Sequence, residues 1–110
     1  MTHDINIHHE DNHESASSYL VEEIRNLLVN SNRNFSIGLS GGNTPKLTYS
    51  MMAEKFNDLS KTFLWTIDDR WIEDNNDLSN QRMINEYFER TDANILKFEF
   101  TNKFFISSRR

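Results

Sequence analysis

The sequence has no cysteine, one proline and only three glycines in 110 residues. The lack of cysteine excludes a disulfide framework and thiolate metal sites, and it fits a reducing compartment. No apolar run approaches the roughly 20 residues that a membrane span requires. The N-terminal stretch "MTHDINIHHEDNHE" is polar throughout, with no basic segment followed by an apolar one, so it does not read as a secretory signal. A soluble cytoplasmic protein is the expectation. Basic residues are also in deficit, 12 against 17 acidic ones, for a net charge of -5. Without a clustered Lys/Arg face, a nucleic-acid surface is disfavoured. A small anionic ligand is still compatible, because a local site can be positive on an acidic protein. Hydrophobic residues make up 36%, below the usual ~45–50%, and the length fits one small domain.

Scarcity makes placement informative. Gly38, Gly41, Gly42 and Pro45 all fall within "FSIGLSGGNTPKLTYSMM", residues 35–52. The residues "FSIGLS" are apolar and β-branched enough for a strand, and Thr44-Pro45 opens a helix where the missing proline N–H costs nothing. Gly41 and Gly42 allow the backbone to approach a ligand without Cβ interference. The helix N-terminus that follows supplies unpaired N–H donors and partial positive charge. Ser40 and Thr44 offer hydroxyls, and Lys46 offers a full charge. Phosphate suits such a cradle, although a tight strand-to-helix turn with a helix cap explains the same residues. The pattern is neither G-x-x-x-x-G-K-[ST] nor G-x-G-x-x-G.

Around this stretch the elements alternate. "ESASSYLVEEIRNLLVNS" predicts an amphipathic helix with Tyr19, Leu20, Ile24, Leu27 and Leu28 inward. Ser15 is its expected N-cap, with Ser18 where a capping box would have Glu, and the turn formers "NSNRN" end it. The helix after Pro45 should bury Leu47, Met51, Met52 and Phe56. "KTFLWTID", 61–68, is nearly continuous in apolar character, as expected of a parallel strand covered on both faces. "DLSNQRMINEYFERT" predicts a helix with Met83, Ile84, Tyr87 and Phe88 inward, and "NILKFEF", 94–100, a third strand. "INIHH" near Ile5 allows a short edge strand. His3, His8, His9 and His13 gather in the same leader, either as a metal site or as a solvated acidic leader; no ligand spacing matches a known geometry. The order helix, strand, helix, strand, helix, strand implies an α/β, Rossmann-like parallel sheet with helices on both faces.

A second polar constellation sits at the end of the second strand. "WTIDDRW" places Asp68, Asp69 and Arg70 at a carboxyl edge, where open α/β sheets bind ligands. An Arg there can hold a phosphate or carboxylate in a fork, or an Asp–Arg ion pair can close the loop. Of two adjacent carboxylates one can face a site while the other is solvated. Ser79 and Asn80, in "NNDLSN", can cap the next helix or reach a ligand hydroxyl.

Together, "LSGGNTPKLTYSMM" and "IDDRW" followed eight residues later by "SN" resemble the two motifs of the 6-phosphogluconolactonase family, the relatives of glucosamine-6-phosphate deaminase/isomerase. The likeness runs from about Ser15 to Phe100. Asp69 stands where the family usually has Glu, and Ile72-Glu73 where it often has Val-Pro. The Arg70-Trp71 pair favours the lactonase branch over the deaminase branch, which usually carries Asp-Glu-Tyr. The resemblance implies that Ser40, Gly41, Gly42, Asn43, Thr44 and Lys46 bind the 6-phosphate of a sugar lactone. It also implies that Asp68 and Arg70 line the reacting end and that Asn80 shapes the pocket. The implied reaction is hydrolysis of 6-phospho-D-glucono-1,5-lactone to 6-phosphogluconate, in the oxidative pentose phosphate pathway, with no metal or organic cofactor.

Lactone opening needs a general base. The family takes it from a His in "G-x-G-x-D-G-H", yet this sequence has no glycine after Gly42 and no histidine after His13. Residues 1–110 are therefore expected to be the N-terminal part of a single lactonase-like domain, with 103–110 as an out-of-frame tail. A non-catalytic phosphosugar-binding module and an amino-sugar-phosphate deaminase relative are the alternatives.

Overall fold

Asn12 starts the first helix. Its backbone is extended (φ -154°) and its Oδ1 accepts from the Ser15 N–H at 2.8 Å, which gives helix α1, His13–Val29. The helix thus begins ahead of the expected cap at Ser15, because an Asn side chain serves the free first-turn N–H groups as well as a Ser does. Replacing Asn12 by Ala should lower stability by about 1 kcal/mol in urea denaturation; an unchanged midpoint would show that the cap contributes nothing. The helix ends at Asn30, whose N–H reaches the Asn26 carbonyl at 3.2 Å, within the expected turn. Its inward stripe is Ser17, Val21, Ile24 and Leu28. Tyr19, Leu20 and Leu27, expected inside, are 40%, 48% and 58% exposed. Ser17, a small polar residue, is buried in their place, beside Val21.

A computed structural model describes residues 4–70, 72 and 76–97. After α1 come β1 (Phe35–Leu39), α2 (Lys46–Lys55), β2 (Thr62–Thr66), α3 (Asn80–Phe88) and β3 (Asn94–Ile95). The three strands form a parallel sheet in the order β1-β2-β3. The α/β architecture read from the sequence is therefore present, with the strand order following the chain. No strand forms around Ile5, and Ile5 and Ile7 are exposed. Phe98 to Phe100, and the tail at 103–110, lie outside the described residues.

The register decides which side chains share a face. Phe35, Ile37 and Leu39 stand beside Thr62, Leu64 and Thr66, and Leu64 stands beside Ile95. That face joins Val21 of α1, Tyr49 and Met52 of α2 and Ile84 and Phe88 of α3 in one core with Leu39, Leu59 and Leu64. The three helices line this one face, α1 against α2 and α2 against α3. In α2 the buried residues are Thr48, Tyr49 and Met52, while Met51 and Phe56 pack at the margin and Leu47 is half-buried. The inward face of α3 is as the sequence implies: Ile84 and Phe88 are fully buried, with Met83 and Tyr87 packed against them.

The other face of the sheet carries Ser36, Gly38, Phe63 and Trp65. Trp65 lies across Gly38, where an added Cβ would come within 2.8 Å of its ring, and its indole N–H donates to Ser36 Oγ at 2.7 Å. Among the described residues this face has no helix over it, and Trp65 is 37% exposed. The apolar run of β2 is thus filled on one side by the core and on the other by contacts along the sheet.

Candidate functional site

Every strand of a parallel sheet delivers its following loop to the same edge, so the loops after β1 and β2 meet. Ile67 N–H donates to the Leu39 carbonyl at 3.1 Å and extends the pairing to the point where both loops leave. There Ser40, Gly41 and Gly42 face Asp68, Asp69, Arg70 and Asn80 across an open cleft of about 470 Å³. A second lobe, lined by Asn43, Lys46 and Arg82, adjoins it at Gly42, Arg70 and Asn80. Thr44 borders an apolar groove beside α1 that shares Ser40 and Gly41 with the cleft. The structure therefore gathers the residues singled out in the sequence at one edge, with Thr44 turned to its margin.

The glycine loop is held from behind. Tyr49, one turn into α2, donates from its hydroxyl to the Ser40 carbonyl at 2.7 Å. Burial pushes the Tyr49 phenol above its ordinary pKa, so the hydroxyl keeps its proton and its role as donor at neutral pH. Gly42 has φ +91°, in the left-handed region that favours glycine. Gly41 is glycine for a different reason: a Cβ there would lie 2.1 Å from Asn80 Oδ1.

Two helices have side-chain caps and one does not. Asn12 caps α1, and Ser79 caps α3 by accepting from the Arg82 N–H at 3.2 Å. At α2 the cap residue is Pro45, and no side chain serves the first-turn N–H groups. The Lys46 N–H donates to the Asn43 carbonyl at 3.3 Å, and the other first-turn donors, with the positive end of the helix dipole, follow directly on the glycine loop.

The two neighbouring aspartates separate clearly. Asp68 is exposed at the cleft, while Asp69 is half-buried and turns to α3. Asp69 Oδ1 accepts from the N–H groups of Arg70 and Asn80, each at 2.8 Å. Its Oδ2 accepts from the Gln81 N–H at 3.0 Å and the Ser79 hydroxyl at 3.2 Å. Burial pushes this carboxyl up, but the hydrogen bonds outweigh it and hold Asp69 below the ordinary carboxylate range. With its folded pKa depressed, the stability it contributes is present above the unfolded carboxylate range. It is lost as pH falls through the folded value.

Arg70 is exposed and extends toward solvent. Its Nη1 donates to the Leu78 carbonyl at 3.0 Å, and among the described residues no ion pair joins it to Asp68 or Asp69. The loop-closing ion pair considered from sequence is therefore replaced by a backbone contact. Arg82, in the second lobe, is paired with Asp77 and with Glu86 at 3.0 Å. The Asn80 side chain does not cap α3: its Nδ2 donates to the Asp68 carbonyl at 3.0 Å and ties the start of α3 to the loop after β2. Sequence reasoning passed over Tyr49, and it named Asp69 without separating its role from that of Asp68. Tyr49 has no local signal, and Asp69 cannot be told from Asp68 until the start of α3 is placed. At the N-terminus His8 stacks on Tyr19 and pairs with Glu10. Among the described residues no three His, Asp or Glu side chains gather as metal ligands, and no helix is long and apolar enough to cross a membrane.

Comparison with known proteins fits this geometry. Residues 8–103 match the model of the family described as glucosamine-6-phosphate isomerases/6-phosphogluconolactonase. A solved 6-phosphogluconolactonase from Shewanella baltica OS155 superposes with a TM-score of 0.74 at 22% identity, over 90% of this chain and 46% of that one. One from Thermotoga maritima gives a TM-score of 0.68 at 27% identity, over 76% and 42%. One from Leishmania guyanensis gives 0.65 at 21%, over 79% and 36%. The chain thus spans less than half the length of these structures. No curated protein matches it. With two loops meeting at one sheet edge and a family match over most of its length, the chain belongs to the glucosamine-6-phosphate isomerase/6-phosphogluconolactonase family.

Proposed function

We propose that this chain supplies the phosphosugar-binding half of a cytoplasmic 6-phosphogluconolactonase, which hydrolyses 6-phospho-D-glucono-1,5-lactone to 6-phosphogluconate. The observation that carries this reading is the uncapped N-terminus of α2 beside Gly41–Gly42, with Lys46 and Arg70 on the same cleft. Backbone N–H donors with the Lys46 cation suit a dianionic phosphate, and Arg70, across the cleft, is left for charge at the reacting end. Ser40, Asn43 and Thr44 add polar groups around the loop.

In the reaction, water adds to the lactone carbonyl carbon and loses a proton to a base. The ring C–O bond then breaks and its oxygen takes a proton, leaving the open acid. Negative charge develops on the carbonyl oxygen as water adds, and an Arg lining the cleft stabilises it. Arg70 takes that role, and Asp68 lines the reacting end. The base that accepts the proton of water is not assigned to any residue of this sequence. That same feature favours a second reading, a phosphosugar-binding module without catalysis.

Titration of the chain with 6-phosphogluconate and with unphosphorylated gluconate, followed by NMR, separates these readings from others. The phosphorylated compound alone should shift the amides of Ser40 to Thr44. Lys46→Ala and Arg70→Ala should each weaken binding roughly 10- to 100-fold, the effect of losing one charge-assisted hydrogen bond. Equal binding of gluconate, or shifts scattered away from the loop, would remove the phosphate assignment. Added lactone consumed by the chain would exclude the non-catalytic reading.

A further inference from the structure

We infer that Asp69 is the positioning residue of the cleft, acting through Asn80 to set the distance between the glycine loop and the Asp68–Arg70 loop. The inference deepens the proposed function and rests on that reading for its consequence in binding.

Asp69 itself turns away from the open cleft and spends both oxygens on α3 and its own loop. Oδ1 takes the backbone N–H groups of Arg70 and Asn80, and Oδ2 takes the Ser79 hydroxyl and the Gln81 backbone N–H. One carboxylate therefore joins the start of α3 to the end of β2. A carboxylate can accept at both oxygens at once, whereas an amide in its place presents a donor on one side. The grip fixes the first residue of α3, and that residue is Asn80. Its side chain then does two things. Nδ2 holds the Asp68 carbonyl at 3.0 Å, and the amide group occupies the space a Cβ on Gly41 would need, with Oδ1 2.1 Å from that position. Asn80 is thus a spacer seated between the two loops, and Asp69 sets where the spacer stands. Arg70 follows directly, since its own N–H is held by Oδ1 and its guanidinium rests on the Leu78 carbonyl just before the helix.

A helix cap alone would also explain the hydrogen bonds, so the test reads position as well as stability. The full chain is made with Asp69→Asn, and with Asn12→Ala as a capping loss on a different helix. Without ligand, D69N should displace the Gly41 and Arg70 backbone amides and the Asn80 side-chain amide in the NMR spectrum, while N12A leaves all three in place. With 6-phosphogluconate, D69N should bind about tenfold more weakly, and N12A within about twofold of the parent, because distant sites act independently. A folded D69N that loses stability but keeps those three resonances and its affinity overturns the inference and leaves Asp69 a cap. Should D69N fail to fold, Asn80→Ala removes the spacer with the carboxylate intact. It should move the Gly41 and Asp68 amides, and unmoved amides overturn the inference equally. If the parent chain binds no 6-phosphogluconate, the proposed function fails, and the ligand-free resonances still decide the role of Asp69.

Discussion

Gly41→Ala should weaken phosphosugar binding by at least about tenfold and destabilise the fold by roughly 1–3 kcal/mol, the range for forcing an extra carbon into occupied space. The added Cβ would fall 2.1 Å from Oδ1, 2.4 Å from Cγ and 2.6 Å from Nδ2 of Asn80. No small adjustment relieves three such contacts, so the Asn80 amide has to leave and its bond to the Asp68 carbonyl goes with it. Gly42→Ala makes an informative contrast. A Cβ at 42 meets nothing within 4 Å, but φ +91° imposes a strain of roughly 1–2 kcal/mol on any L side chain. Two neighbouring glycines are therefore required for unlike reasons, one for room and one for backbone angle. A double-mutant cycle separates them. Asn80→Ala should relieve Gly41→Ala, giving a coupling of at least about 1 kcal/mol, and should not relieve Gly42→Ala. Strict additivity at position 41 would mean that Asn80 does not occupy the space.

Phe88→Ala should be the most damaging substitution in the molecule. The ring is fully buried, at 0% exposure, and sits 6.0 Å from the Tyr49 ring at a tilt of 57°. Removing a buried Phe costs about 3–5 kcal/mol, against a total stability of roughly 5–15 kcal/mol for a typical domain. The loss should fall first on the docking of α3, since Phe88 and Ile84 are its fully buried apolar contacts. Urea denaturation followed by circular dichroism measures it. A midpoint displaced by less than the equivalent of about 1 kcal/mol would show that the core tolerates the void and that α3 is held mainly by its cap.

The element order was legible because the sequence spends its few helix breakers in one place. With Gly and Pro confined to residues 38–45, the periodic segments on either side had few other boundaries to take. What remained hidden was set by neighbours in space. The stripe of α1 was misplaced toward Tyr19, Leu20 and Leu27 because apolar character alone cannot show that the polar Ser17 is buried. The near-continuous apolar β2 implied two-sided cover, yet Trp65 is accommodated by the bare backbone of Gly38 beside it, a pairing visible only once the register is known. At the site, the approach of the glycine loop to Asp68 and Arg70 followed from strand order. The division of labour between Asp68 and Asp69 did not, since adjacent identical residues differ only in which one the start of α3 reaches.

The strand order bears on how the site comes into being during synthesis. Because β1, β2 and β3 lie side by side in chain order, β2 and then β3 each find the neighbouring strand already made when they emerge from a ribosome. The glycine loop, with Tyr49 behind it, belongs to the first half of that programme. Asn80 belongs to the second. Until α3 has been translated and has settled on Asp69, Gly41 faces an unfilled space and the two loops have no fixed separation. A nascent chain of 70 residues can therefore hold the glycine loop in outline, but the cleft takes its fixed width only with the third helix.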